Sequence, residues 1–291
     1  MPGAISTNPE GTSQTVGKAP PGKRGGATAI QNVQIFVNRN EGWFLWIAGF
    51  LSFIVTWWLL ALWVDRPYLP TPSKVFIALI ESFYITTPRD PNTMWDHIWA
   101  SLSRVFWGLV LALALAIPLG YLVGYIRSVE QFVSPTIELL RPIPPIAWLP
   151  FAIVMFSTAG TFPAAAVFII FLGIFFPVLT NIVDGVKGID DLLYDAALTL
   201  GARQRDLFPK IILPASLPSM MTGIRIGVGV GWMTIVAAEM TPVFNEGLGW
   251  YIWDRSEVFL YDQMWAGMLM IGIIGIIMIK SLTYAERWLQ R

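Results

Sequence analysis

Six apolar stretches, each close to the length of a bilayer-crossing helix, dominate the sequence and restrict what it can fold into. A helix rises about 1.5 Å per residue, so about 20 apolar residues cover about 30 Å of hydrocarbon. The stretches lie at residues 43–64, 102–125, 133–156, 163–183, 218–240 and 264–283. The expected fold class is therefore an all-α membrane protein with six transmembrane helices. Only 13% of residues are charged, against about 25% in soluble domains, so lipid is the expected solvent. The third stretch is the least regular, because Pro142, Pro144, Pro145 and Pro150 each remove a backbone donor. Lipid cannot satisfy the carbonyls this frees, so that stretch is expected to face protein or a cavity.

Lys and Arg distribution sets the orientation, since basic residues near helix ends stay in the cytoplasm. Twelve fall on one side, in the N-terminal segment, at Arg127, in the connection carrying Lys187, Arg203, Arg205 and Lys210, and at the C-terminus. The other side has only Arg66, Lys74, Arg89 and Arg255, among eight acidic residues. Both termini are thus expected in the cytoplasm. Residues 1–42, rich in Gly, Pro, Ser, Thr and Asn, read as a disordered cytoplasmic tail, and residues 43–291 as the membrane domain. Gly11 to Lys18 resembles a phosphate loop only loosely: the glycine spacing is wrong, and Ala19 stands where Ser or Thr is needed. On the outer side, a short amphipathic helix is expected after Pro72, and a Trp- and Tyr-rich loop over residues 241–263.

The composition excludes several chemistries. There is no cysteine and a single histidine, His97, so no disulfide, thiolate metal site or histidine cluster is expected. Zero formal net charge gives no sign of a nucleic-acid partner. The chain shows no paired acid and base or nucleophile motif, and no catalytic, metal or cofactor-binding residue is assigned.

The long cytoplasmic connection, residues 184–217, is the most informative segment. Leu193, Ala196, Ala197 and Leu200 share one apolar face of a helix, Gly201 can end it with a positive φ, and a second short helix over residues 204–212 precedes Pro214. An apolar face with no membrane to enter needs a groove on another protein. The run Asp195-Ala196-Ala197, then Gly201, then Leu213-Pro214 resembles the Glu-Ala-Ala loop of ATP-binding cassette (ABC) importer permeases, with Asp195 in place of the usual Glu.

The resemblance covers about residues 66–288 and narrows to the nitrate/sulfonate/bicarbonate, taurine-type permease family. It rests on Leu69-Pro70-Thr71-Pro72-Ser73, Ser101-Leu102-Ser103-Arg104 with Gly108, Leu140-Arg141-Pro142-Ile143-Pro144-Pro145, Gly223-Ile224-Arg225-Ile226-Gly227, Ala238-Glu239 and Gly247-Leu248-Gly249. It implies a type I ABC importer permease fold. It also implies that Asp195, Ala196, Ala197, Leu200, Gly201, Leu213 and Pro214 form a coupling helix that docks on an ATPase subunit. The implied partners are ATPase subunits carrying ATP and Mg, a solute-binding protein, a second copy of the permease and membrane lipid. The implied location is the bacterial inner membrane, and the implied substrate a small anion, nitrate or bicarbonate first. Taurine or another alkanesulfonate, or a neutral nitrogenous compound, is the alternative within the class. A stand-alone secondary transporter is the alternative outside it.

Arg104, Arg141, Pro144, Arg225 and Glu239 lie within or at the ends of spans, where ionisable groups are costly and prolines free backbone groups. They are candidates for the substrate pathway. Ion pairing and interfacial placement are the competing explanation for the charges, with Glu138 spaced to neutralise Arg141. Gly223, Gly227 and Gly231, and Gly120 with Gly124, recur every four residues and predict close helix packing or a sliding face.

Overall fold

The structure is a computed structural model that describes the backbone of residues 29–157 and 162–289. The chain divides into two compact units, Met1–Val55 and Thr56–Arg291. In the first, the described residues belong to helix α1 (Ala29–Val64), whose membrane-crossing part, Trp43–Val64, has the expected bounds. Ahead of that span Ile30, Val33 and Val37 recur at helical spacing, and residues 29–42 are helical where disorder was expected. Residues 1–28 of the expected tail lie outside the described residues. From Trp43 onward the helix exposes Trp43, Trp46, Phe50 and Phe53, which suits contact with lipid.

The second unit continues with α2 (Pro72–Glu81), α3 (Met94–Tyr125), α4 (Arg127–Leu140), α5 (Leu149–Ser157), α6 (Phe162–Lys187), α7 (Asp191–Thr199), α8 (Gln204–Leu207), α9 (Leu213–Glu239), α10 (Leu248–Glu257) and α11 (Tyr261–Leu289). Five helices among the described residues are long and apolar enough to cross a membrane, or six if α4 and α5 form one bent span.

Helix α6 is the hub. It packs most extensively against α3 and α9, and Ile170, Ile174, Leu179 and Ile182 along it are fully buried. The glycine repeats make this packing possible. A Cβ at Gly227 of α9 would stand 3.0 Å from the Ile174 carbonyl and 3.1 Å from its Cα. Gly120 of α3 meets Ile182 at 2.9 Å in the same way. The repeats therefore serve the packing expected of them, against α6 on both sides.

Three segments differ from expectation. The third stretch breaks after Leu140 into α4 and a pair of short helices that begins at Pro145, bent by 86°. Pro142, Pro144 and Pro145 are the cause, each lacking a donor for the preceding turn. No residue of α4 is fully buried, but Ile137 packs against the core, Leu149 and Ala152 of α5 are buried, and Arg141, Ile143 and Pro145 line a cavity, so the stretch faces protein and a cavity as expected. The fifth span is longer than expected: α8, a π-helical turn at Phe208–Ile212 and α9 run on as one span, Gln204–Glu239. The wider turn lets the helix pass Pro209 and Pro214 without ending. The expected outer loop contains α10, whose buried Leu248, Tyr251, Ile252 and Arg255 follow helical spacing beneath a conspicuous aromatic content.

Candidate functional site

The cytoplasmic elbow is built as its residues dictate. Asp190 caps α7, its side chain accepting from the Leu192 amide at 2.9 Å. Helix α7 has no buried residue, and Leu192, Leu193 and Leu200 are exposed at 70%, 51% and 88%. Gly201 turns the chain at φ +87, a conformation that favours glycine, and a Cβ there would meet no atom within 4 Å. Glycine at this position thus answers to backbone geometry and not to crowding. Asp195, Ala196, Leu213 and Pro214 are exposed, and Ala197 is partly so. Beyond the turn, Leu207 and Ile212 are buried, which anchors the elbow to the spans.

The candidate pathway residues do not form one site. Arg104 and Glu239 bind each other. His97, Ser101 and Arg104 lie on one face of α3 and read the backbone that leads into α10. Ser101 Oγ donates to both Glu239 oxygens, at 3.0 and 2.8 Å, and accepts from the Leu248 amide at 2.9 Å. Arg104 Nη1 donates to Glu239 Oε1 at 2.6 Å and to the Glu246 carbonyl at 3.0 Å, while Nη2 reaches Glu246 Oε1 at 2.7 Å. The Gly249 amide donates to Glu239 Oε2 at 3.1 Å. Gly247, at φ +116, is held so close to the Glu239 carboxylate that no Cβ fits between them. Three separate sequence landmarks, at 101–104, 238–239 and 247–249, converge in this knot. Arg104 stands between two carboxylates, the buried Glu239 and the half-exposed Glu246, so the knot ties α3 to α9 and to the segment leading into α10.

A second cluster, missed in the sequence, continues outward from it. The Gly247 amide donates to His97 Nδ1 at 3.1 Å, so Nε2 carries the proton that reaches Asp90 Oδ2, also at 3.1 Å. Arg255 Nη2 donates to Asp90 at 2.9 Å, and Arg89 Nε lies 2.8 Å from Asp254. Burial pushes the Asp90 carboxyl up, but the hydrogen bond from His97, the Asn92 amide and the Arg255 guanidinium outweigh it and hold it below the ordinary carboxylate range. Burial raises the Tyr251 phenol, whose oxygen lies 2.6 Å from Ser82 Oγ.

The other two charges part company. Arg225 pairs with Glu286 of α11 at 3.1 Å and is partly exposed. Arg141, at the break between α4 and α5, has no ion pair among the described residues, with Glu138 or any other carboxylate. It lines a cavity of about 260 Å³ with Ile143, Pro145, Gly173, Pro177, Asn181 and Ile226 among others. Pro144 lies beside that wall, ahead of the short helical turn that starts at Pro145.

Comparison with known proteins fits this geometry. The sequence profile of the family described as binding-protein-dependent transport system inner membrane component matches residues 108–291. A putative ABC transporter permease protein of Methanocaldococcus jannaschii is 44% identical over 80% of this chain and 86% of its own length. The taurine transport system permease protein TauC of Escherichia coli is 36% identical over 82% of this chain and 86% of its own. The bicarbonate transport system permease protein CmpB of Synechococcus elongatus is 31% identical over 87% and 91%. Among solved structures, a chain of the inward-facing MetNI methionine ABC transporter superposes with a TM-score of 0.59 at 19% identity, covering 68% of this chain and 98% of that one. At that identity the likeness speaks for the fold alone.

Proposed function

The chain belongs to the family of binding-protein-dependent transport system inner membrane components, with the type I ABC importer permease fold, and from that premise we propose that it passes a small oxyanion inward under ATP drive. It is a multi-pass inner membrane protein of the taurine- and bicarbonate-type group. ATPase subunits and a solute-binding protein are its partners in this reading, and a second copy of the permease completes the complex, since two ATPases offer two docking grooves. Nitrate or bicarbonate is the first choice of substrate, taurine or another alkanesulfonate the second, and a neutral nitrogenous compound the third.

The observation that carries the coupling role is the elbow of α7 and α8: an exposed apolar helix on the side rich in Lys and Arg, turned at Gly201 and anchored through Leu207 and Ile212. Asp195, Ala196, Ala197, Leu200, Gly201, Leu213 and Pro214 form the docking element. Closure of the ATPases on ATP draws two such elbows together and tilts the attached spans, opening the cavity outward, and hydrolysis resets it. The permease makes and breaks no bonds itself.

The test is ATP hydrolysis by the reconstituted complex, titrated with binding proteins loaded with nitrate, bicarbonate or taurine. Stimulation by one loaded protein, lost in Gly201→Asp while the complex still purifies intact, supports both the substrate and the elbow. Stimulation by none of them, or uptake that persists without ATPase subunits, sinks the proposal.

A further inference from the structure

We infer that Arg141 is the residue that selects an anionic substrate, at the waist of a groove running along α6 toward its cytoplasmic end. This rests on the importer reading. Two cavities meet at Arg141 and Thr180. The upper one, about 260 Å³, is walled by the α4–α5 break, α6 and α9, and Arg141 is the one ionisable residue in its lining. The lower one, about 160 Å³, continues past Glu138 and Asp184 to Lys187. Thr180 is seven residues from Lys187, so the waist stands about 10 Å above the last turn of α6.

Three features make the site suited to an oxyanion. An arginine in a membrane-crossing segment with no counter-charge is expensive unless it faces water or a ligand, and Arg141, exposed at the break between α4 and α5, has no ion pair among the described residues. The prolines at 142, 144 and 145 fix the backbone of the break, so the guanidinium is presented from a stiff support. A planar fork of N–H donors also matches paired oxygens on nitrate, bicarbonate or a sulfonate, which a lysine ammonium does not.

Polarity along the groove then favours release once ATP has driven the cycle. Above the waist Arg141 is the one charged group the lining offers an anion. Below it, Glu138 and Asp184 line the cavity and Lys187 is already engaged by Glu130 at 2.5 Å. Glu138 precedes Arg141 by one helical turn, so it can take up the guanidinium as the anion leaves. The substrate is thus held at the waist and released past carboxylates that replace it.

The test uses the whole complex in proteoliposomes, reading isotopic uptake and binding-protein-stimulated ATP hydrolysis together. Arg141→Gln is expected to cut anion uptake at least about tenfold, the fold-change for a lost charge-assisted hydrogen bond, with stimulated hydrolysis retained. Because the native chain has no cysteine, Arg141→Cys provides a second test, with the native complex treated alongside. A trimethylammonium thiosulfonate, which returns the positive charge without the N–H donors, should restore part of the uptake, and a sulfonate-bearing one should restore none. Native-level uptake in Arg141→Gln, or equal uptake with the two reagents, overturns the assignment. Loss of stimulated hydrolysis in the unmodified complex would instead strike at the importer reading, so the two failures are distinguishable.

Discussion

Arg104 and Glu239 sit 2.6 Å apart, 4% and 0% exposed, joining the first third of α3 to the last residue of α9. Removing Arg104 strands the buried Glu239 carboxylate, which costs about 3 kcal/mol or more, whereas removing Glu239 leaves the guanidinium its second partner, Glu246, and should cost less. Arg104→Ala should lower the melting temperature of the detergent-solubilised protein by several degrees and Glu239→Gln by fewer, and the two losses should not add. Native melting in either variant would show that the pair is dispensable.

The α6–α9 seam separates crowded glycines from free ones. A Cβ at Gly227 would stand 3.0 Å from the Ile174 carbonyl, whereas one at Gly229 meets nothing within 4 Å. Gly227→Leu is expected to prevent accumulation of folded protein, and Gly229→Ala to be tolerated. Equal yields from size-exclusion chromatography would refute the packing described.

Acid should loosen the outer cluster. The Asp90 carboxyl lies below the ordinary carboxylate range in the folded chain, so its contribution is complete above that range and is lost as pH falls through the depressed value. Melting temperature should hold from neutrality down to about pH 4 and then drop. Asp90→Asn should start lower at pH 7 and drop less steeply, and parallel curves for the two proteins would count against this assignment.

Arg225 offers a contrast with Arg141. Its pair with Glu286 is less buried than that of Arg104 with Glu239, 36% exposed at the arginine and 13% at the glutamate, and the contribution of an ion pair falls with exposure. Arg225→Gln should leave both stability and uptake near native values. A transport defect as large as that of Arg141→Gln would return Arg225 to the pathway.

How much of this could be read from the chain follows from the range of each interaction. The spans are local properties of hydropathy, and the break at 141–145 is written in its prolines. The elbow was legible because Gly201 and the apolar face of α7 lie within one short segment. The knot around Glu239 was visible only as separate landmarks, since Ser101 and Glu239 are 138 positions apart and nothing local announces that they touch. Asp90, His97 and Arg255 looked like ordinary loop charges. Their role depends on α10, whose helical period lies beneath its tryptophans and tyrosines.

The unbroken span from Gln204 to Glu239 is 36 residues, about 54 Å of rod at 1.5 Å per residue. One end emerges from the elbow, the other is clamped to Arg104, and the midsection rests on α6 at glycine contacts that leave no room for slack. Such a rod is a lever with its fulcrum in the membrane. A tilt of about 5° displaces one tip relative to the other by about 5 Å, close to one helical turn, so a small rotation at the elbow registers on the opposite face without any change in the helix itself.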